Sequence, residues 1–579
     1  MSTPSDIFAG TSGPRDARIA IVGESWGYHE EKAGKPFVGA SGEELTRMLA
    51  DAGIAQNECF LTNVVNARPR ENDMQNFFAP QKEAKANGFV PVRGLCPLPI
   101  VRAGLQALHA QLEAVAPDVI VAFGNYALWA LTQNAFSVST KKGYKVPAGI
   151  SSWRGSYLEY DAKLVSPVHG VDRRVPLIPT YHPAAILRQW NWRATAVHDL
   201  RRAARVVKDG GVPQEHLRFI KAPTFGQVLE TLDMLISLPA GSWLTCDVET
   251  YVNHIDCIGF AWSESDAICI PFFSKFSGES YWTPIQERMI RARIEKLIST
   301  PGLRWSNQNF IYDLQHLEAE LFSPPDPDWD TMVAHHLCYP GTDKSLDVLA
   351  SLYCDYYRYW GESSQHTTDA ERWHYNCIDT VKTWEITGVT QSVVEKLGLS
   401  HLMPERLEVL QVARDMMRRG VLIDVRERKR MVIDLMEAIM ANESFLQSLM
   451  PAHIPELLRG KTGKAEWWRS PTQQAKFFYE LCGIPVIVNP KTKNPTVDDD
   501  ALPKIKLMQP VLGPLIDALQ ELRTMGIYYN MLTMALEPRD RLSSSFNTCG
   551  TVSFRWSSSE NAFGRGGNLQ NIAKEKDAA

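Results

Sequence analysis

Apolar and polar residues fall into blocks along this chain, and the spacing inside the blocks changes from one third to the next. In the first third, four short apolar runs alternate with amphipathic stretches. Arg18-Ile-Ala-Ile-Val-Gly-Glu-Ser-Trp-Gly27, Cys59-Phe-Leu-Thr-Asn-Val-Val65, Pro117-Asp-Val-Ile-Val-Ala-Phe-Gly124 and Val175-Pro-Leu-Ile-Pro-Thr-Tyr-His-Pro183 read as buried strands. Between them, 39–53 has Leu45, Met48 and Leu49 on one helical face with Gly53 to end it, and 105–116 and 184–208 are further helices. Strands alternating with helices predict a parallel α/β sheet. Ligands of such sheets bind at the carboxyl ends of the strands, and those ends carry Glu24, Asn63 and His182.

After the break at Asp209-Gly-Gly-Val-Pro213 the period shortens. Trp243-Leu-Thr-Cys-Asp-Val-Glu-Thr250, Ile255–Trp262 and Ala267–Phe273 follow one another at hairpin spacing and predict three antiparallel strands. A helix over Glu287–Ser299, a strand over Leu303–Asn307 and a helix over Phe310–Leu321 come next. In the last third the spacing is helical: Glu405–Gly420, Arg426–Met450, Ser470–Gly483 and Val511–Ala535, with a basic loop at Lys491–Asp498. The domain reading is 1–210, 211–400, 401–540 and 541–579.

Composition narrows the class. At 579 residues the chain needs several cores. Its 44% hydrophobic and 22% charged content is that of a water-soluble globular protein, with no apolar stretch of about 18 residues to span a membrane. The ten cysteines form no CxxC pair, which argues against a zinc ribbon and for a reducing, cytoplasmic setting. A formal charge of −5 excludes a uniformly basic nucleic-acid binder but leaves room for local basic grooves and an acidic metal centre. Arg193, Arg201, Arg202, Arg205 and Lys208 on the helix closing the first domain are expected to be a solvated face.

The acids of the second domain carry the clearest chemistry. Asp247 and Glu249 are two residues apart in a strand, so both carboxylates face one side. Asn309-Phe-Ile-Tyr-Asp313 and Tyr375-Asn-Cys-Ile-Asp379 each place two polar groups one helical turn apart. Hard divalent cations such as Mg²⁺ or Mn²⁺ take oxygen ligands, and phosphodiester hydrolysis uses two of them. Asp247, Glu249 and Asp379 are expected to hold the metals, Asp313 to reach the second one through water, and Tyr375 to orient the attacking water. His335 and His336 lie in an apolar helix and read as packing.

Three resemblances follow from these residues. Gly23-Glu24 with Gly34-Lys-Pro-Phe-Val-Gly39, Thr62–Val65 with Arg68-Pro69, and Thr180-Tyr-His-Pro-Ala-Ala-Ile-Leu-Arg188 resemble the ordered motifs of the uracil-DNA glycosylase superfamily, family 4. The resemblance implies that Glu24 handles the attacking water, Phe37 stacks on an extruded base, Asn63 reads its edge and His182 faces its carbonyl oxygen. The chain departs from the pattern at Ser25-Trp26-Gly27, where Trp26 is expected to narrow or block the pocket. It departs again at Ala184, in a serine's place, and at the cluster cysteines, of which only Cys96 is matched; no iron–sulfur cluster is expected. This domain is accordingly read as a DNA-binding or docking module, with base excision as the alternative. The second domain resembles the DEDDy 3′→5′ exonucleases, which implies a ribonuclease H-like fold. The remainder resembles the mainly helical thumb of family A DNA polymerases, at Arg418–Asp424, Ser470-Pro-Thr-Gln and Gly483-Ile-Pro485, and the start of their palm, at Phe546–Thr551, Arg555–Ser558 and Gly567-Asn-Leu-Gln-Asn-Ile572.

By that resemblance Arg555, Gln570 and Asn571 contact primer–template DNA, Asn309 also touches DNA, and the proofreading site takes single-stranded ends. The palm aspartates and the fingers helix do not follow, which reads as one half of a split polymerase, a truncated product or an engineered fragment; the split reading is preferred, and with it a second polymerase subunit supplying palm and fingers is expected. The reading is therefore the proofreading and DNA-binding part of a bacteriophage-type replicative polymerase, in the host cytoplasm. A stand-alone exonuclease, or a glycosylase with an attached nuclease, are the alternatives.

Overall fold

The computed structural model describes residues 7–88, 90–140, 143–161, 174–320, 322–361, 367–450, 454–458, 466–490 and 492–571. Its contacts divide the chain into two compact units, Met1–Leu410 with Thr551–Phe554, and Gln411–Gly550 with Arg555–Ala579. Among the described residues no helix is long and apolar enough to cross a membrane.

The first unit holds two sheets. In the first, Ile19–Ser25, Cys59–Val65, Val119–Phe123 and Arg174–Thr180 are parallel, in the order 59–65, 19–25, 119–123, 174–180. Each strand is buried on both faces. Ala20, Val22 and Ile120 meet helix Pro99–Val115 on one side, while Ile19, Ile21 and Val121 meet helices Ala40–Asp51 and Arg193–Asp209 on the other. That is why these strands read as unbroken apolar runs. An antiparallel edge strand, Leu158–Asp161, completes the sheet. At the opposite edge Ser12 and Leu61 exchange backbone hydrogen bonds of 3.0 and 2.8 Å.

Two expectations change here. The helix expected over 184–208 is interrupted: Pro183–Ile186 is one turn, Trp190–Trp192 a tight turn, and the long helix starts at Arg193. Of the basic residues on that helix, Arg201 and Lys208 are exposed as expected, but Arg193, Arg202 and Arg205 are not. Arg202 is fully buried and donates to the carbonyls of Ser351, Cys354 and Asp355 at 2.9, 2.7 and 3.1 Å. Arg193 pairs with Glu44 and Asp51, and Arg205 with Asp355.

In the second sheet, Trp243–Tyr251, His254–Ala261 and Asp266–Pro271 form the expected antiparallel meander. Arg304–Asn307 joins parallel to the first of them, Trp329–Asp330 joins beyond it, and Arg218–Ile220 closes the other edge. The alternation of Trp243–Tyr251 sorts its two faces. Leu244, Cys246 and Val248 enter the core with helix Pro284–Ile298. The other face is covered by the 28-residue helix Asp369–Lys396, where Thr245 donates to the Thr380 carbonyl at 2.9 Å.

The second unit is mainly helical. Helices Val425–Ser448 and Gly513–Leu532 are its long elements, and Leu446, Trp467, Trp468, Phe478, Ile505 and Ile516 share its core. The helix expected over 470–483 begins at Pro471 behind a Ser470 cap and widens into a π-helical turn over Lys476–Leu481.

Candidate functional site

Two polar sites lie in the first unit. The first sits at the carboxyl ends of the parallel strands, in a cleft of about 770 Å³. Glu24 ends the first strand and accepts the Tyr126 amide at 3.1 Å, from the first turn of helix Asn125–Leu131. Burial pushes its pKa up to about 7, against the lowering pull of the Tyr126 and Asn125 amides. His182 follows the fourth strand and accepts the Ala184 amide on Nδ1 at 3.2 Å. Burial, helped by Arg188, pushes its pKa down to about 4. A neutral imidazole that accepts on Nδ1 carries its proton on Nε2.

Phe37 and Asn63 complete this wall. The Phe37 ring lies 6.3 Å from that of His182 at an interplanar angle of 29°. Phe37 has φ of +55°, an uncommon left-handed conformation for a bulky residue. Its loop is braced by the buried carboxylate of Glu30, which accepts the amides of Gly27, Val38 and Gly39 at 3.1, 3.2 and 3.1 Å. Gly23 is needed where it stands, because a Cβ there would meet both the Asn63 carboxamide and the Phe37 ring. Trp26 lines the cleft rather than filling it. Its indole packs over Gly10, and its amide is held by the Ala67 carbonyl at 3.1 Å. Of the expectation that Trp26 narrows or blocks the pocket, the blocking is corrected: Gly10 opposite gives the ring somewhere else to lie, and Trp26 remains part of the cleft wall.

The second site is a carboxylate cluster. Asp247, Glu249 and Asp379 each present an oxygen, and these oxygens all lie within 4.8 Å of one another. Burial together with neighbouring acids raises the pKa of all three: Glu249, beside Asp247, reaches about 8, while Asp247, beside Asp313, and Asp379, beside Asp247 and Glu249, go well above the usual carboxylate range. Asp313 lies outside that group of three. It sits in the first turn of helix Ile311–Ala319, accepts the Val248 amide at 3.0 Å, and is pushed up to about 8 by burial. Tyr375 precedes Asp379 by one turn on helix Asp369–Lys396 and hydrogen-bonds its carboxylate. The neighbouring acids, Asp379 foremost, raise the phenol's pKa, so it stays protonated.

Asn309 departs from its expected place. Its spacing predicts a helix face shared with Asp313, but its φ is +55° and the helix starts only at Ile311. The reason is Asp330, whose buried carboxylate accepts the Phe310 amide at 3.0 Å while capping helix Thr331–Cys338 at Val333, so it pins the turn.

Three residues at the cluster were not expected. Asn376 donates to the Asp247 carboxylate at 2.8 Å and to its carbonyl at 3.1 Å. Arg372 lies 3.3 Å from Glu249 and is held by Asp256 at 2.6 Å, where a bulge in the neighbouring strand turns Asp256 inward. Trp360 donates from Nε1 to Asp379 at 2.6 Å. Arg372, Tyr375, Asn376 and Asp379 fall at i, i+3, i+4 and i+7, a polar stripe on a buried helix that the sequence displays. Trp360 has no such signal.

Of the remaining candidates, Arg555 lies exposed in a loop and Gln570 in the short turn Leu569–Asn571, both in the second unit. The Asn571 side chain and everything from Ile572 onward lie outside the described residues. His335 is a packed residue, bonded to Tyr353 and Thr342 at 2.6 Å each.

Comparison with known proteins finds relatives for parts of this chain. The sequence model of the uracil DNA glycosylase superfamily matches residues 10–201. A type-4 uracil-DNA glycosylase of Thermotoga maritima is 32% identical over 202 residues, 34% of this chain and 82% of that protein. One from Pyrobaculum aerophilum is 32% identical over 182 residues, 31% of this chain and 74% of the relative. The DNA polymerase of Bacillus phage SP01 is 23% identical over 355 residues, 57% of this chain but a third (33%) of that polymerase's length. Among solved structures, the POL domain of Pol1 from M. smegmatis in complex with DNA primer-template and dNTP matches with a TM-score of 0.43 at 17% identity, covering 62% of this chain and 57% of that one. Through the domain that carries Glu24, Phe37, Asn63 and His182, this chain belongs to the uracil-DNA glycosylase superfamily, and over more than half its length it is similar to a phage DNA polymerase.

Proposed function

We propose that the second sheet of the first unit hydrolyses 3′-terminal nucleotides of DNA and does so in the service of a DNA polymerase. The observation that carries this reading is the convergence of Asp247, Glu249 and Asp379 within 4.8 Å. Three carboxylates crowded into a partly buried site are a costly arrangement unless a cation neutralises them. The donor set is all oxygen, which fits Mg²⁺ or Mn²⁺. Asp247, Glu249 and Asp379 would hold two such ions, with Asp313 reaching the second through water. Bound there, divalent cations lower the pKa of an attacking water and stabilise the leaving oxygen.

The chain's own groups set up the rest. Asn376 fixes Asp247, Arg372 fixes Glu249, and Tyr375, kept protonated and donating to Asp379, offers its phenol oxygen as an acceptor to position the water beside Asp379. Asn309, Arg555, Gln570 and Asn571 are the proposed DNA contacts. Labelled single-stranded DNA with Mg²⁺ tests the reading. Shortening from the 3′ end is expected, with Asp247→Asn slowing it by about 100-fold or more. Undegraded DNA with the unaltered protein would overturn it.

The strand-end cleft supports a second activity. Glu24 titrates near neutrality, His182 presents Nε2–H, and Phe37 offers a ring for stacking. Those are a base for water, a donor for a carbonyl oxygen and a platform for an extruded base. The matching relatives are type-4 uracil-DNA glycosylases, so uracil in DNA is the proposed substrate. Release of uracil from an oligonucleotide, lost in Glu24→Gln, tests it.

A further inference from the structure

The segment from the last turn of helix Leu346–Tyr353 to Trp360 touches both domains of the first unit. At its near end Ser351 accepts from Arg154 Nη1 at 2.8 Å, and Arg202 gathers the carbonyls of Ser351, Cys354 and Asp355. Further along, the Tyr157 amide donates to the Tyr357 carbonyl at 2.8 Å, and the Tyr359 amide donates to Ser156 at 3.0 Å. Tyr356 stacks on Tyr157, and Tyr359 meets the Trp153 ring edge-on at 5.2 Å. All of these partners belong to the glycosylase-fold domain. The far end of the same segment is Trp360, whose indole N–H bonds the Asp379 carboxylate.

We propose that Trp360 is a positioning residue for the carboxylate of Asp379, and that the glycosylase-fold domain holds it there through the strap 351–360. The proposal rests on the metal-dependent nuclease reading above. An indole donor 2.6 Å from the Asp379 carboxylate restrains the rotation of a group that presents an oxygen within 4.8 Å of those of Asp247 and Glu249. The donor is on a stretch that has no helix or strand of its own from Asp355 to Trp360. Its placement comes instead from Arg202, Ser156 and Tyr157 across the domain boundary. The nuclease centre therefore extends into its neighbour: loosening the neighbour's grip on the strap is felt at Asp379.

The full chain titrated with Mn²⁺ and followed by electron paramagnetic resonance reads this directly, with Asp247→Asn marking which signal belongs to the cluster. Trp360→Phe keeps an aromatic ring and removes the donor. It is expected to weaken Mn²⁺ binding about tenfold or more and to lower kcat for nucleotide release without changing KM for DNA. Arg202→Lys keeps the charge but loses the three-carbonyl grip. It is expected to weaken Mn²⁺ binding about threefold, as part of the same effect, and to speed amide hydrogen exchange at Tyr357 and Tyr359. Unchanged Mn²⁺ affinity in both variants would overturn the positioning role while leaving the nuclease reading standing. An unaltered protein with no Mn²⁺ signal removable by Asp247→Asn would overturn the nuclease reading itself.

Discussion

Glu24 and His182 face one cleft with opposite shifts, and both shifts have the same cause. Burial penalises the charged form, so the acid is raised to about 7 and the base lowered to about 4. Between pH 5 and 8 His182 stays neutral and Glu24 alone changes charge. Below about 7 Glu24 is protonated and cannot take a proton from water; above it the carboxylate can. Uracil release is therefore expected to rise with pH through a single midpoint near 7 and to be absent in Glu24→Gln at every pH, as a stopped-time excision assay across buffers will show. A flat profile would mean that Glu24 does not act as the base. The residue roles differ in how far the sequence displayed them. Asp247 and Glu249 were legible because strand geometry alone puts i and i+2 on one face. Trp360 was not, because nothing local ties it to Asp379, 19 residues on along the chain.

Elements were read well where one period dominates. The meander from Trp243 to Pro271 and helix Ala40–Asp51 came out as expected, since apolar alternation and a helical apolar face are local signals. The hairpin of Phe136–Ser139 with Lys145–Ala148 and the edge strand Leu158–Asp161 were not, because all three strands are short and Phe136–Ser139 is exposed along its whole length. The break after Ile186 was missed as well, since the basic helical pattern runs on across it. Helix Ala40–Asp51 carries a constraint of its own. Gly42 in its first turn lies so close to Phe37 that a Cβ would drive into the Phe37 carbonyl. Gly42→Ala is expected to cost about 1–3 kcal/mol through overpacking and to displace Phe37. Uracil release should fall while release of 3′-terminal nucleotides is untouched. Chemical unfolding and the two assays side by side check this.

At the scale of the molecule, the glycosylase-fold domain is built into the unit that holds the carboxylate cluster. Its central polar contact is the pair Arg154–Asp199, 2% and 0% exposed, with Thr180 completing the Asp199 carboxylate at 2.8 Å and Ser351 the guanidinium. Gly155 beside it has φ of +75°, and a Cβ there would crowd Asp199. Removing one member of a buried pair leaves the other charged and unsatisfied. Arg154→Met is expected to destabilise the unit by about 3–5 kcal/mol, measured as a lowered midpoint in denaturant unfolding. A loss under about 1 kcal/mol would show that the pair is relaxed by water. None of this interface was legible in the sequence, where its arginines looked like an ordinary charged helix face; only the fold brings residues 150 positions apart together.

The backbone exchange between Ser12 and Leu61 has a consequence for how this protein behaves in company. The outer strand of a parallel sheet presents unpaired amides and carbonyls to any extended peptide that drifts by. Here the chain occupies that position itself, at the middle of the strand, and it does so through a turn at Gly13 that leaves no room for a side chain against Cys59. An extended peptide that meets this border finds the amide and carbonyl of Leu61 already taken.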